Sequence, residues 1–139
     1  MPPPRPREAP RDEEASAFTE SLRRLVLATP GVLGAAFADP EGEAVDVCAT
    51  GSTYDVKLAA AHLGIVLAAF ERVAATCGVG RTGALHVRTG RVDYAIVAVG
   101  EGYYLVVAVA PGAQWPRIFD ALDRAAIELR AEAGLSNGA

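Results

Sequence analysis

The middle of the sequence holds the thirteen-residue stretch LAAAHLGIVLAAF (58–70), which has helical composition and carries no charge. His62 is its only strongly polar side chain. A helix at the surface of a globular domain normally shows one apolar stripe and one polar face. This stretch is apolar on more than one side, so more than one neighbour must cover it.

Residues 55–77 fall into three strips of side chains when successive residues are placed about 100° apart around a helix axis. The first strip carries the largest apolar side chains and is predicted to face a sheet: Leu63, Val66, Leu67, Phe70, Val73 and Cys77. The second strip consists of Leu58, His62, Ile65, Ala69, Arg72 and Thr76, and the third of Ala60, Gly64, Ala68, Glu71 and Ala75.

The second strip indicates contact with another polypeptide, since one sheet covers only the first. Leaving Leu58 and Ile65 in water would forgo about 1.5–3 kcal/mol each. A second copy of the chain is the simplest cover. Small residues favour close approach of a partner helix, namely Ala61, Gly64, Ala68 and Ala69. The alternative is that a terminal helix of the same chain covers this strip.

Length, charge and cysteine content narrow the protein class. The chain has 139 residues, 51% of them hydrophobic, which favours one globular domain. A net charge of −4 gives no electrostatic reason to bind nucleic acid. Cys48 and Cys77 are interpreted as buried thiols rather than a disulfide framework. We find no signal peptide, and no charge-free run is expected to insert in a membrane, so we expect a cytoplasmic protein.

The chain divides into a tail, one domain and a short end. Residues 1–14 are Pro-rich and charged, which predicts a disordered tail. Pro3-Pro4-Arg5-Pro6 also fits a PxxP ligand. Residues 15–134 are predicted to form the domain, and 135–139 a loose C-terminus.

Turn and cap signals give the element order α-β-β-α-β-β-β-α. A first helix over 16–29 has Ser16 as a possible cap. Asp39-Pro40-Glu41-Gly42 predicts a type I turn between two strands, the first over 32–38. The central helix covers 55–77. Three further strands over 84–89, 91–99 and 103–109 form a meander, and a last helix runs from Trp115 to Gly134.

This ordered set resembles the bacterial branch of the roadblock/dynein light chain family over residues 16–133. The matching features are Thr29-Pro30-Gly31-Val32 at the end of the first helix, Gly34-Ala35-Ala36-Phe37-Ala38 leading into the turn at 39–42, a long Ala/Leu-rich helix after 52–55, and Gly102-Tyr103-Tyr104-Leu105-Val106-Val107 before the last helix. Each motif is weak alone, and the order makes the resemblance specific.

The resemblance implies an α+β fold, a dimer and a partner. It implies a five-stranded antiparallel sheet with the long central helix on one face and the two terminal helices on the other. It implies a homodimer with the central helices side by side and the sheets joined edge to edge, for which the strand over 84–89 is our candidate edge. Family members regulate or scaffold Ras-like small GTPases, and some accelerate GTP hydrolysis. The predicted partner and dimer interface is Leu58, Ala61, His62, Ile65, Ala69 and Arg72.

No motif predicts an enzyme or a cofactor site. The GxGxxG match at 78–83 follows a helix and precedes a strand, the reverse of a dinucleotide site, and is interpreted as a glycine helix stop. There is no GxxxxGK[ST] and no GxSxG, and His62 and His86 have no cysteine at zinc spacing. Arg72 as an arginine finger is the less favoured alternative to an interface role. Trp115 and Phe119 are interpreted as core.

A second functional class stays open beside the GTPase regulator. The domain is also compatible with a small-ligand sensor of profilin-like or PAS-like type. The small residues Gly34, Ala35, Ala36 and Ala38 beside the sheet are the feature that would leave a pocket there.

Overall fold

The eight predicted elements are all present in the computed structural model, which describes residues 16–136. The predicted tail, its PxxP segment and residues 137–139 lie outside the described residues. The elements are α1 (Thr19–Ala28), β1 (Val32–Ala38), β2 (Ala44–Ala49), α2 (Thr53–Cys77), β3 (Ala84–Val87), β4 (Asp93–Gly100), β5 (Tyr103–Val109) and α3 (Trp115–Ala133). Their order is the predicted α-β-β-α-β-β-β-α.

The five strands form one antiparallel sheet in the order β2-β1-β5-β4-β3, so β2 and β3 are its edges. The predicted turn joins β1 to β2. In it Gly42 N–H donates to the Asp39 carbonyl at 2.9 Å, and the Asp39 carboxylate accepts from the Glu41 and Glu43 N–H groups. Gly42 has φ +89°, which L side chains rarely adopt.

The two terminal helices share one face of the sheet, as the resemblance implied. Leu22 of α1 and Leu122 of α3 are buried with Phe37 and Leu105 of the strands below them. Arg24 bridges the helices through Glu128 at 2.9 Å. Ser16 is not the helix cap, since the cap position is Phe18, and the Ser16 hydroxyl donates to the Asp46 carboxylate of β2, 2.7 Å away. The fold therefore draws the start of α1 onto the edge strand β2.

Helix α2 occupies the opposite face and contacts chiefly β2, β1 and β5. Ser52 caps it by accepting from Asp55 N–H at 3.1 Å, and Gly78 ends it in the left-handed conformation. Its 25 residues span about 37 Å, whereas a seven-residue strand spans about 24 Å. The helix is therefore longer than the strand beneath it. Near its C-terminal end the returning chain packs against it, with Thr82 N–H donating to Glu71 at 2.7 Å.

The side of α2 that meets the sheet is rotated from the predicted one, although Leu63 and Leu67 pack on the sheet side as predicted. Val56, Ala60, Leu67 and Ala74 are buried, while Val66, Phe70, Val73 and Cys77 are exposed. The reason is Tyr104, which stands up from β5 and donates its hydroxyl to the Ala60 carbonyl at 2.9 Å. A Cβ at Gly64 would lie 2.1 Å from the same hydroxyl. Only the strip of small side chains leaves room for this tyrosine, so larger side chains turn outward.

The buried Tyr104 phenol predicts a loss of stability in alkali. Burial, and secondly the Asp39 carboxylate, raise the pKa of Tyr104 above its ordinary value of 10.0. The folded state favours the neutral phenol, so the stabilisation is complete below about pH 10 and is lost as pH rises through the folded pKa. We expect the free energy of unfolding to fall less steeply above about pH 10 in Tyr104→Phe than in the parent chain. Tyr54→Phe, at an exposed position, is the control and should keep the parental slope.

Candidate partner-binding surface

The outward side of α2 is a continuous apolar surface. Ile65 is 67% exposed and Phe70 is 47% exposed, and Tyr54, Leu58, Val66 and Val73 are exposed as well. Monomeric soluble proteins rarely leave so many large apolar side chains together in water. Within residues 16–136, no element covers this surface.

A cleft of about 670 Å³ separates the N-terminal half of α2 from β4. The helix side of the cleft includes Leu58, Ala59, His62 and Leu63, and the sheet side includes Val92, Tyr94 and Ala108. Most of this lining is apolar. The cleft is therefore a concave extension of the exposed helix surface.

The cleft divides the exposed side of α2 into two strips. Steps of three and four residues from the cleft along the helix define the groove strip: Ala59, His62, Val66, Phe70 and Val73. The remaining exposed side defines the outer strip: Tyr54, Leu58, Ile65, Ala69 and Arg72. Ala59 and His62 of the groove strip line the cleft beside β4, and the outer strip faces away from the sheet. Leu58 lies at the boundary, since it also lines the cleft.

The half of the sheet beside the groove strip is only partly covered. Leu85 and Val87 of β3 and Tyr94 of β4 lie on the α2 side of the sheet and remain half-buried. The edge strand β3 bonds to β4 on one side only. An apolar half-sheet and an open strand edge thus lie next to the groove strip.

The six predicted interface residues lie on different parts of this surface. Leu58 and His62 line the cleft, while Ile65 and Arg72 are exposed on the outer strip. Ala69 belongs to the outer strip and is half-buried. Ala61 lies on the far side of the helix, with its backbone 3.6 Å from a Cβ placed on Gly42 of the β1–β2 turn.

Val66, Phe70 and Val73 are the surface residues that the sequence did not identify, because their size assigned them to the core. Two features of the sequence point to the correct side. Gly64 and Ala60 form a small-residue strip, and Tyr104 sits in β5 at a position whose side chain faces α2. Recognising them together requires the register of β5 under the helix, which is a long-range contact.

The remaining polar candidates form no reactive cluster. His86 stacks on Trp115 with ring centroids 3.7 Å apart, and its Nε2 lies 3.9 Å from the buried Asp93 carboxylate. Trp115 and Phe119 pack against the core, as predicted. Within residues 16–136 no three His, Cys, Asp or Glu side chains are grouped to hold a metal. Cys48 is buried, but Cys77 is exposed because it lies on the outward side of α2.

Gly34, Ala35, Ala36 and Ala38 do not leave a pocket. All four are buried, and a Cβ on Gly34 would lie 2.7 Å from the Val56 side chain. Val56 fills the space above this strand. The predicted origin of a ligand pocket is therefore wrong, and the cleft forms instead between α2 and β4.

Helix α2 is also long and apolar enough to cross a membrane, with a mean hydropathy of 1.6 over its best 18-residue window. This corrects the prediction that no segment could span a membrane. That prediction considered only stretches without any charge and overlooked an 18-residue window with few charges. The helix contains Asp55, Lys57, Glu71 and Arg72, which are costly in hydrocarbon. Its small-residue side is fixed to the sheet through Ala60 and Gly64.

Comparison with known proteins identifies the architecture. No family model matches the chain, and no curated protein sequence matches it. Among solved structures, Myxococcus xanthus MglB superposes with a TM-score of 0.77 at 16% identity, covering 88% of this chain and 98% of that one. The chain has the roadblock fold. A Roadblock/LC7 domain from Streptomyces avermitilis gives a TM-score of 0.72 at 17% identity, covering 83% of this chain and 96% of that one.

A third solved structure that matches this chain is an oligomer. MglB in a tetrameric arrangement matches with a TM-score of 0.74 at 19% identity, covering 84% of this chain and 88% of that one. At these identities the likeness is one of fold. It confirms the sheet, the helix placement and the element order that the sequence resemblance implied.

Proposed function

We propose that this chain is a non-enzymatic, homodimeric regulator or scaffold that binds a Ras-like small GTPase in the cytoplasm. The observation that carries the proposal is the exterior of α2 on a roadblock fold, where both the groove strip and the outer strip expose large apolar side chains. Regulation of Ras-like GTPases is what the family resemblance implies, and the MglB and MglC structures are neighbours of this fold. The proposal needs no membrane and no nucleic acid.

The groove strip and the half-sheet beside it supply the dimer surface. Ala59 and His62 of the groove strip line the apolar cleft, and Val66, Phe70 and Val73 continue this strip along α2. The edge strand β3 offers an unpaired edge. A two-fold interface uses the same patch on both subunits, so it must be self-complementary. An apolar ridge beside an apolar cleft meets that requirement.

The outer strip then supplies the docking surface for the GTPase. Tyr54, Leu58 and Ile65 give it an apolar centre, and Arg72 gives it a cation at one end. No carboxylate in the described part of the chain pairs with Arg72. We assign Arg72 to an acidic side chain of the GTPase rather than to the nucleotide, since the planar guanidinium pairs well with a carboxylate.

A matched pair of variants tests this docking surface. Ile65→Asp places a charge in the outer strip, whereas Leu27→Asp changes an equally open position on α1, across the sheet. The tagged chain is purified from its native host, and GTP hydrolysis is measured on the Ras-like protein that accompanies it. We expect Ile65→Asp to lower its affinity at least about 30-fold, roughly 2 kcal/mol, and to abolish any effect on hydrolysis.

Leu27→Asp should bind and act as the parent chain does. If the parent chain and Ile65→Asp bound the GTPase equally well, the docking surface would not lie on the outer strip. If no P-loop protein accompanies the parent chain and none of the host's Ras-like GTPases binds it when added, the proposed function is wrong.

A further inference from the structure

We propose that a second pocket, between α2 and one end of the sheet, binds a small zwitterion that carries both a carboxylate and an ammonium group, as an amino acid does. The pocket has a volume of about 490 Å³ and lies where the β4–β5 hairpin and the chain returning from α2 meet the helix. It shares no lining residue with the apolar cleft, and none of its lining residues belongs to the groove strip or the outer strip. This site goes beyond the proposed function, because it needs neither a GTPase nor a second copy.

Charged side chains of both signs line the pocket. They are Glu71 on α2, Arg81 in the connector after α2, Glu101 in the β4–β5 hairpin and Arg130 on α3. Glu71 and Arg130 are half-buried, whereas Arg81 and Glu101 are exposed. Because the formal charges of the four side chains cancel, a ligand with a single charge would meet a repulsive group as well as an attractive one. A zwitterion has a partner for both signs.

Backbone contacts hold the two half-buried groups in place. The Glu71 carboxylate accepts from Thr82 N–H at 2.7 Å, and Arg130 Nε donates to the Val99 carbonyl at 2.6 Å. A guanidinium has several donors and a carboxylate several lone pairs, so each group can bind a ligand while it keeps its backbone partner. Side chains fixed in this way lose little freedom on binding. We assign the ligand carboxylate to Arg130, whose planar fork matches it, and the ammonium group to Glu71.

The remaining lining suits the apolar part of such a ligand. Leu67 and Ala68 of α2 line the pocket together with Ala98 and Val99 of β4 and Tyr103 of β5. The volume lies within the range of about 300–1,000 Å³ that is usual for small-molecule sites, where apolar walls hold the ligand and a few polar groups orient it. The ligand class that fits this lining is an amino acid with an apolar side chain.

Two features of the pocket wall depart from what local stability favours. Glu101 has φ +52°, a left-handed conformation that is unfavourable for a residue with a side chain and that asparagine or glycine normally supplies in a hairpin turn. Thr82 is only 8% exposed, and its hydroxyl has no hydrogen-bond partner within residues 16–136. Unpaired buried hydroxyls are rare, and departures of both kinds are concentrated at functional sites. Their presence on one pocket supports a binding site rather than a gap in packing.

A matched set of ligands tests the charge assignment on the purified parent chain. The standard L-amino acids are screened by thermal shift at about 10 mM each, and the affinity of each binder is measured by titration calorimetry. Each binder is then compared with the analogues that lack its ammonium or its carboxylate group, which for phenylalanine are 3-phenylpropanoate and 2-phenylethylamine. We expect an amino acid with an apolar side chain to bind, and each single-charge analogue to bind at least about 10-fold more weakly.

Two variants test the assigned residues. Arg130→Gln and Glu71→Gln should each weaken binding of the amino acid at least about 10-fold, because each removes one charged partner. Glu71→Gln should not weaken binding of the analogue without an ammonium group, and Arg130→Gln should not weaken binding of the analogue without a carboxylate. Arg124→Gln and Glu132→Gln, at exposed positions of α3 outside the pocket, are the controls and should keep the parental affinity.

The zwitterion site is excluded if no standard amino acid raises the melting temperature, or if both pocket variants bind the amino acid as tightly as the parent chain. A single-charge analogue that binds as tightly as the amino acid would overturn the charge assignment. If Arg130→Gln fails to fold by circular dichroism, Glu71→Gln and the analogues decide. These measurements use the chain alone, so their failure leaves the proposed GTPase binding standing, and a failure of GTPase binding leaves this site standing.

Discussion

Phe70→Asp is expected to convert the proposed dimer into monomers. The substitution removes an aromatic side chain from the groove strip and places a carboxylate there, twice in each dimer because of the two-fold symmetry. An ionised carboxylate without a partner costs several kcal/mol when it leaves water. We expect the dimer dissociation constant to rise at least about 100-fold, equivalent to about 2.7 kcal/mol, measured by sedimentation or by light scattering across a dilution series.

The control is Leu27→Asp, since Leu27 is 60% exposed on α1 at the other face of the sheet. It adds the same charge without touching the groove strip and should leave the dissociation constant unchanged. Circular dichroism should show that Phe70→Asp keeps its helices, because Phe70 has no part in the core of its own subunit. A Phe70→Asp protein that dimerises as tightly as the parent chain would exclude the groove strip as the seam.

The sequence predicts the element order because local chemistry sets it. Asp39-Pro40-Glu41-Gly42 forms the turn it specifies, and the Gly78 helix stop has the left-handed backbone that glycine tolerates. Boundaries are predicted less well. α1 begins at Thr19 rather than at residue 16, and Ser16 and Thr19 both donate to the Asp46 carboxylate of β2.

The orientation of α2 was predicted wrongly because it depends on one long-range contact. Periodicity places the small residues Ala60 and Gly64 about a quarter to a third of a turn from the strip of large side chains, and the usual rule assigns the large strip to the core. Here Tyr104 occupies the space beneath the helix, and its hydroxyl reaches the Ala60 carbonyl at 2.9 Å. The helix is therefore rotated toward its small residues, while Leu67 stays buried. The sequence still predicted that Leu58, Ile65 and Arg72 do not face the sheet, because one sheet covers only one side of a helix.

This rotation connects the fold to its proposed function. Because Ala60 and Gly64 face the sheet, the apolar area that α2 buries there comes chiefly from Val56, Leu63 and Leu67. Phe70 and Ile65 are left outside, where burial by another chain stabilises them by about 25 cal/mol per Å². A monomer with the large side inward would bury more apolar area within itself and present a smaller surface to partners. The close approach of α2 to Tyr104 at Gly64 thus leaves large apolar side chains exposed, and this favours association with another chain.

Gly64→Ala should destabilise the protein strongly, although the same change at an open helix position stabilises. Alanine exceeds glycine in helix propensity by about 1 kcal/mol. At this site, however, the added Cβ would lie 2.1 Å from the Tyr104 hydroxyl oxygen and 2.6 Å from the ring carbon that bears it. Tyr104 is only 3% exposed, so it has no room to move without breaking its bond to Ala60 and disturbing the core. We expect a net loss of roughly 2–4 kcal/mol in the free energy of unfolding.

Chemical denaturation at one fixed protein concentration measures this loss, since dimerisation makes stability depend on concentration. Gly51→Ala is the control, because a Cβ there meets nothing within 4 Å and should change stability by less than about 0.5 kcal/mol. The double variant Gly64→Ala/Tyr104→Leu tests the cause. Leucine at residue 104 removes the clash. The loss of stability in the double variant should therefore be smaller than the sum of the losses in the two single variants by at least about 1 kcal/mol. Additive losses, or a Gly64→Ala protein as stable as the parent, would show that Tyr104 does not determine which side of α2 faces the sheet.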